Sequence, residues 1–340
     1  MKTVIDFRVE EKFSPALSAF LEQLSVTLAE TMPEQPFIFL TDAPVSEAYP
    51  SNVIIKAMPK SSFGWLDRKR LQTLLEEEQA GSYIRFGSLA IHIARPQGKG
   101  FSAKDLRQPL QHMVFSDYHR RLLQPPPGSA VYCIKPAWPG LPGPLSWPEA
   151  ESVRTQYSAG KEYFLFTGDI DAPHRLIELL KAFSLFKKRQ QSNMQLLIAG
   201  YSTVWTDGFE EKLLTYKYRA DVIVLKDPEY AEIIRLAAAA YAMVYPAEGD
   251  ILPLPLLMGV QGGTAVIASG IPINHEWTDA AEWIDNSRLE EGFAQAMMLL
   301  YKDESRKQQL LQKAKQETAS GAGGAMIEAI GRIIREGNDK

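Results

Sequence analysis

The side chains able to do chemistry are few. Five histidines and one cysteine, Cys133, are spread over 340 residues. His112 and His119 lie two helical turns apart, but a strand-to-helix break expected at Phe115–Ser116 falls between them and spoils a metal-ligand spacing. Ser116 lacks the flanking glycines of a nucleophile elbow. There is no Walker loop and no Gly-x-Gly-x-x-Gly after a strand. Cys133 sits in a strand-like run and is expected to be a buried structural thiol. A single cysteine rules out an intrachain disulfide and any Cys-based zinc cluster, so no metal site is expected. His92 stands in the apolar run Ala90-Ile91-His92-Ile93, where a hydrogen-bonded structural role is the commonest one. The six tryptophans could stack on sugar rings, though packing and interface anchoring are the usual duties of this residue.

The elements that must position these residues follow from hydrophobic period. Short β-branched or aromatic runs alternate with helical-period stretches, which favours a parallel sheet covered by helices. In the first half, strands are expected at Thr3–Phe7, Phe37–Leu40, Val53–Ala57, Ser82–Phe86, Leu89–Ala94, Met113–Phe115 and Ala130–Ile134. Helices are expected at Pro15–Thr31, Leu66–Gln79 and Ser116–Leu123. Pro136, Pro139, Pro142, Pro144 and Pro148 then crowd together, and proline fixes φ while removing a backbone donor. An interdomain linker is therefore placed at about Lys135–Tyr157. The second half restarts with five strands, at Tyr163–Thr167, Gln195–Ala199, Val222–Leu225, Ala242–Tyr245 and Ala265–Ala268, each followed by a helical stretch. That is the pattern of a doubly wound, nucleotide-binding type of domain.

Over about Lys161–Asp285 the order and spacing resemble the C-terminal domain of the family 4 retaining glycosyltransferases, which have the GT-B fold. Tyr163–Gly168 looks like the strand and glycine that open this domain, Leu176–Phe183 its first helix and Leu196–Gly200 its second strand. Glu248-Gly249 and Gly263-Thr264-Ala265-Val266-Ile267-Ala268-Ser269 look like the start and end of the donor-sugar motif. More faintly, Ile5-Asp6-Phe7-Arg8 and Phe115–Leu122 resemble the family's acceptor domain. The resemblance implies an α/β protein with two Rossmann-like, doubly wound domains facing a cleft. It implies a shortened acceptor domain over 1–135, a linker over 136–157, a nucleotide-sugar domain over 158–318, and a last helix over 319–340 that crosses back to the first domain. A UDP- or GDP-sugar donor would bind without metal or other cofactor, and a glycan or lipid-linked acceptor would receive the sugar.

The residues that would do this chemistry depart from the family pattern. The diphosphate leaving group needs cations and helix N-terminal amides. After Gly168, Asp169 stands where the family has Arg, and His174-Arg175 where it has Lys-Asn. His174 and Arg175 are either a substitute clamp or the start of a helix capped by Asp171. Glu248 matches the first of two motif glutamates, which contacts the sugar; a solvated loop carboxylate is the competing reading. Leu256, or Met258 on the backward alignment, holds the second glutamate's place, and neither accepts a ribose hydroxyl. The acceptor domain's glycine-rich loop is replaced by Lys12-Phe13-Ser14-Pro15, a good helix start, and the chain's first glycine is Gly64. His92 is the nearest match to the family's catalytic-side histidine. Gly168, Gly263 and Thr264 complete the donor-side candidates.

Composition limits the alternatives. Thirty-seven basic against 41 acidic side chains give a net charge of −4, which disfavours a broad grip on nucleic acid. No apolar run approaches a membrane span and the N-terminus carries acids where a signal peptide needs apolar residues, so a cytoplasmic chain is expected, with peripheral contact at the inner membrane left open. Two function readings remain. One is a glycosyltransferase with activity weak or lost; the other is a non-catalytic GT-B scaffold or a partner subunit to another glycosyltransferase in glycan assembly.

Overall fold

The computed structural model describes residues 1–8, 14–42, 49–60, 64–87, 90–96, 111–134, 136, 141, 143–248, 252–318 and 322–338. The chain divides into two compact units. One comprises Met1–Phe13, Phe20–Pro139 and Ala322–Lys340; the other comprises Ser14–Ala19 and Gly140–Gly321.

The first unit is built on seven strands: β1 (Lys2–Asp6), β2 (Phe37–Thr41), β3 (Val53–Ala57), β4 (Ala80–Phe86), β5 (Ile91–Ala94), β6 (Gln111–Val114) and β7 (Ala130–Cys133), in the order β3-β2-β1-β4-β5-β6-β7. Helix α1 (Pro15–Thr31) buries Phe20, Leu21, Leu24 and Leu28, the i, i+3, i+4 stripe visible in its sequence. Helix α2 (Gly64–Glu77) presents Leu71 and Leu75 to a core with Val4, Ile38, Leu40, Tyr83 and Ala94. Helix α3 (Asp117–Leu122) is capped by Ser116, whose Oγ accepts the His119 N–H at 3.2 Å.

One expectation fails here. The sheet is not wholly parallel, because β5 runs antiparallel to both β4 and β6. The Gly87 N–H donates to the Ala90 carbonyl at 2.9 Å, closing a connection too short for a parallel crossover. A second correction concerns Cys133, which is exposed rather than buried. It ends β7, the last strand in the sheet order, whose final two residues are exposed.

The second unit opens with helix α4 (Trp147–Ser158), lying inside the segment expected to be linker. Pro148 stands in its first turn, where its missing N–H costs nothing, and the Ser146 N–H donates to Glu149 at 2.9 Å. Six parallel strands follow: β8 (Tyr163–Asp169), β9 (Gln195–Tyr201), β10 (Val222–Lys226), β11 (Ala242–Tyr245), β12 (Val266–Ser269) and β13 (Glu282–Ile284). Their order is β10-β9-β8-β11-β12-β13, one strand more than expected and the doubly wound order with the first strand central. The helices are α5 (Leu176–Gln190), α6 (Thr206–Leu213), α7 (Tyr230–Ala239), α8 (Leu254–Gly262), α9 (Pro272–His275), α10 (Leu289–Lys302) and α11 (Glu304–Thr318). Phe164, Phe166, Phe183, Phe186 and Phe293 fill the core between the sheet and the pair α5–α10. A last helix, α12 (Ala322–Asn338), belongs to the first unit, where Arg95 donates to the Ile333 carbonyl. No helix among the described residues is long and apolar enough to cross a membrane.

Candidate functional site

In this strand order the chain reverses its winding between β8 and β11. Ligands of open α/β sheets bind outside the carboxyl ends of the strands at that point. Gly168 and Asp169 end β8, and Glu248 lies just past β11. Gly168 has φ +135°, and a Cβ there would meet His174 Nε2 at 3.2 Å. Glycine is thus required because the imidazole lies against the strand.

His174 does not point outward as a phosphate clamp. It is buried, with its ring edge-on to Phe166 at 5.5 Å and Tyr245 at 6.5 Å between centroids. Its Nδ1 lies 2.6 Å from Asp171 Oδ1. Arg175 follows in the left-handed region at φ +51°, a backbone choice that costs a non-glycine residue about 1–2 kcal/mol and that clusters at functional sites. Its Nη2 is 3.7 Å from Glu248 Oε1 and its Nε 3.5 Å from Glu178 Oε1. The Glu248 N–H donates to the Pro173 carbonyl at 3.0 Å, and its Oε1 accepts from Asn286 Nδ2 at 3.3 Å. The fold therefore gathers Gly168, His174, Arg175 and Glu248 around one turn. Among these four residues Arg175 faces outward, and it shares its charge with two carboxylates, Glu178 and Glu248.

Asp169 is 2 % exposed. Its Oδ1 accepts the Ala16 N–H, in the first turn of α1, at 3.0 Å. Burial pushes its carboxyl above the usual range, against the opposing pull of the Ala16 amide, Ser14 and His174. A first-turn amide of a helix is a natural anion site. Here the anion in it is a side chain of the protein itself. A pocket of about 510 Å³ lies alongside, walled by Asp171, Arg175, Trp205 and Phe209 among others.

Residues 149–317 match the family model described as "Glycosyl transferases group 1". The second unit belongs to the glycosyl transferases group 1 family. Over 116 residues the chain is 28 % identical to the O-antigen chain mannosyltransferase RfbU of Salmonella typhimurium, a match that covers 34 % of this chain and 32 % of that protein. It thus spans about a third of that relative's length. Several solved structures are similar over nearly the whole chain, among them the following three. WaaG, a glycosyltransferase involved in lipopolysaccharide biosynthesis, has a TM-score of 0.68 at 15 % identity, covering 98 % of this chain and 99 % of that one. A glycosyltransferase from Rickettsia africae gives 0.70 at 11 %, over 99 % and 98 %. Anabaena HepE, in complex with UDP and glucose, gives 0.72 at 12 %, over 99 % and 100 %. The fold is GT-B, with two Rossmann-like domains.

Within this group 1 domain, two expected donor-side residues lie elsewhere. Gly263 and Thr264 precede β12, whereas Gly168 and Glu248 follow the ends of β8 and β11; since the strands are parallel, the two sets occupy opposite edges of the sheet. Gly263 caps α8 at φ +76°, where a Cβ would meet Pro144 at 2.9 Å. The Thr264 Oγ1 donates to the Ala237 carbonyl at 2.8 Å. Both hold the far edge together and neither reaches the switch point. Leu256 and Met258, at the place of the second glutamate, are 0 % and 1 % exposed in a helix buried all round. Gly249 and the residues at 250 and 251 lie outside the described residues.

His92 belongs to the first unit. It sits on β5 opposite Arg85 on one side and His112 on the other, its Nδ1 2.8 Å from His112 Nδ1. Burial, then the charge of Arg85 and the neighbouring His112, push its imidazole down to about 3. It is neutral at physiological pH. Asp6 continues the same row opposite Arg85 and is held by Arg8 at 2.8 Å and the Tyr83 hydroxyl at 2.8 Å. Sequence reasoning missed the pairing with His112, which only strand register reveals. It also missed Ala16 as a partner of Asp169, which no local signal announces. Among the described residues no group of three or more His, Cys, Asp or Glu could hold a metal ion.

Proposed function

We propose that this chain is a glycosyltransferase-like protein of the retaining, nucleotide-sugar-dependent type whose transferase activity is weak or lost. One observation carries the reading: the buried Asp169 carboxylate accepts the helix amide that a donor diphosphate would otherwise take. An incoming diphosphate meets a like charge there, and its attraction to Arg175 competes with Glu178 and Glu248. The similarity to a HepE structure holding UDP and glucose supports a UDP-sugar as the first donor to test. The mannosyltransferase relative supports a GDP-sugar as the second.

In this reading Glu248 hydrogen-bonds the donor sugar, Arg175 holds the β-phosphoryl oxygens, and Gly168 lets the His174 ring keep the turn in place. A glycan or lipid-linked acceptor would receive the sugar. Where turnover is nil, the chain serves as a scaffold or partner subunit to an active glycosyltransferase. Calorimetry with UDP-glucose and with GDP-mannose tests the reading. Dissociation constants at or above about 1 mM support it. Micromolar binding with turnover abolished by Glu248→Gln would show an intact transferase and refute the lapsed donor grip.

A further inference from the structure

The chain that leaves β13 reaches back to Glu248. Asn286, 38 positions further along, opens the short helical turn Asn286–Arg288. Two bonds set its place. The Ile284 carbonyl at the end of β13 accepts the Gly270 N–H at 2.7 Å, and the Asp285 carboxylate caps the turn by accepting the Ser287 N–H at 2.9 Å. From there Asn286 Nδ2 donates to Glu248 Oε1 at 3.3 Å, the same oxygen that lies 3.7 Å from Arg175 Nη2. A carboxylate only accepts, so this contact fixes which way the amide points. The nitrogen faces Glu248 and the oxygen is turned aside. That Oδ1 is buried, with no hydrogen-bond partner among the described residues. The end of β12, which lies between β11 and β13 in the sheet, carries Ser269 Oγ and Asn274 Oδ1 in the same condition; Asn274 Nδ2 is already donated to the Ser269 carbonyl at 2.9 Å. A buried acceptor without a donor is a standing cost to the fold, and it concentrates where a ligand completes the pairing.

We propose that Asn286 is a specificity-determining residue of this site: its Oδ1 accepts a hydroxyl hydrogen of a hexose while a neighbouring hydroxyl of the same ring donates to Glu248. The proposal rests on Glu248 being the contact to the donor sugar. Two acceptor oxygens side by side call for two donors, and adjacent hydroxyls of a pyranose are such a pair. Phosphoryl groups carry only acceptors at neutral pH, so the nucleotide end of a donor gains nothing from Asn286. The Glu248 side chain is 38 % exposed and can be reached from solvent, while Asn286 is half-buried and fixed from both sides of its turn. A preformed acceptor of this kind selects a hydroxyl at little ordering cost.

The test is saturation-transfer NMR of the full chain with UDP-glucose and GDP-mannose, each beside its free nucleoside diphosphate. The method reads weak binding and reports nucleoside and sugar protons separately. In the wild type the sugar protons of at least one donor should be saturated. Asn286→Leu keeps the side chain's volume and removes the unpaired oxygen, so it should melt at or above the wild-type temperature. It should lose sugar saturation and bind that donor up to about tenfold more weakly, the worth of one neutral hydrogen bond, with the free diphosphate unchanged. Equal sugar saturation in Asn286→Leu and the wild type would overturn the proposal. So would equal weakening of donor and free diphosphate, which a merely structural Asn286 would give, or absence of sugar saturation in the wild type with both donors. Glu248→Gln separates the two levels. Sugar saturation that survives it would remove Glu248 as the sugar contact, and with it the donor geometry; loss in Glu248→Gln but not in Asn286→Leu would overturn the role of Asn286 alone.

Discussion

Acid should unfold this protein earlier than its carboxylates alone would dictate, and His92 supplies a calculable share. In the folded chain its imidazole is pushed to about 3 from an ordinary value of 6.5. The unfolded chain takes up a proton below pH 6.5, while the folded chain refuses it until far lower. Stability from this residue is thus complete above pH 6.5 and is lost as pH falls through the window from 6.5 toward 3. The slope approaches about 1.4 kcal/mol per pH unit, so moving from pH 8 to pH 5 removes about 2 kcal/mol. Urea titrations across that range, with the m-value held as a control, measure it. His92→Gln lowers stability at pH 8, since the contact with His112 is weakened, but flattens the dependence by the calculated amount. The slope, not the level, is the readout. Identical pH slopes for wild type and His92→Gln would refute the buried, neutral histidine.

Asp169 titrates with the opposite sign. Burial raises its folded value above 3.8, so its contribution is present below the unfolded value and is lost as pH rises through the folded one. Asp169→Asn should therefore melt at or above the wild-type temperature at pH 7 and flatten the acid-side dependence; a large loss at pH 7 would contradict this. Gly292→Ala puts a methyl 2.4 Å from Ile284 Cγ2 and should cost about 1–3 kcal/mol in thermal melts, as overpacking does. Gly208→Ala, in α6 with nothing within 4 Å of the new carbon, should instead stabilise by about 0.5–1 kcal/mol. Phe183→Ala, at a side chain 0 % exposed and stacked on Phe186, should cost about 3–5 kcal/mol in denaturant titration.

What the sequence could and could not show follows from the range of each signal. The apolar run Tyr163–Phe166 and the stripe of α5 are local patterns, and the doubly wound domain was legible from them. The antiparallel β5 depended on a single turn at Gly87, which a pattern of alternation does not register. Proline density hid α4, because Pro148 in a first turn looks the same as Pro148 in a linker. Gly263 and Thr264 match a motif by order along the chain, but order does not say which edge of a sheet a residue reaches. Ala16 and Asp169 meet across some 150 positions of sequence, and no periodicity connects them.

That last contact is the most direct place to test the account. Isothermal titration of UDP into the wild type and into Asp169→Asn, at one pH and salt, compares the anion site with and without its resident charge. The amide of Asn keeps an oxygen for the Ala16 N–H while removing the repulsion. The account predicts weak binding to the wild type and about tenfold tighter binding to the variant, a difference of about 1.4 kcal/mol. Tight binding to the wild type that is weakened by Asp169→Asn would contradict it, because the carboxylate would then be part of the nucleotide's grip and not a substitute for its phosphate.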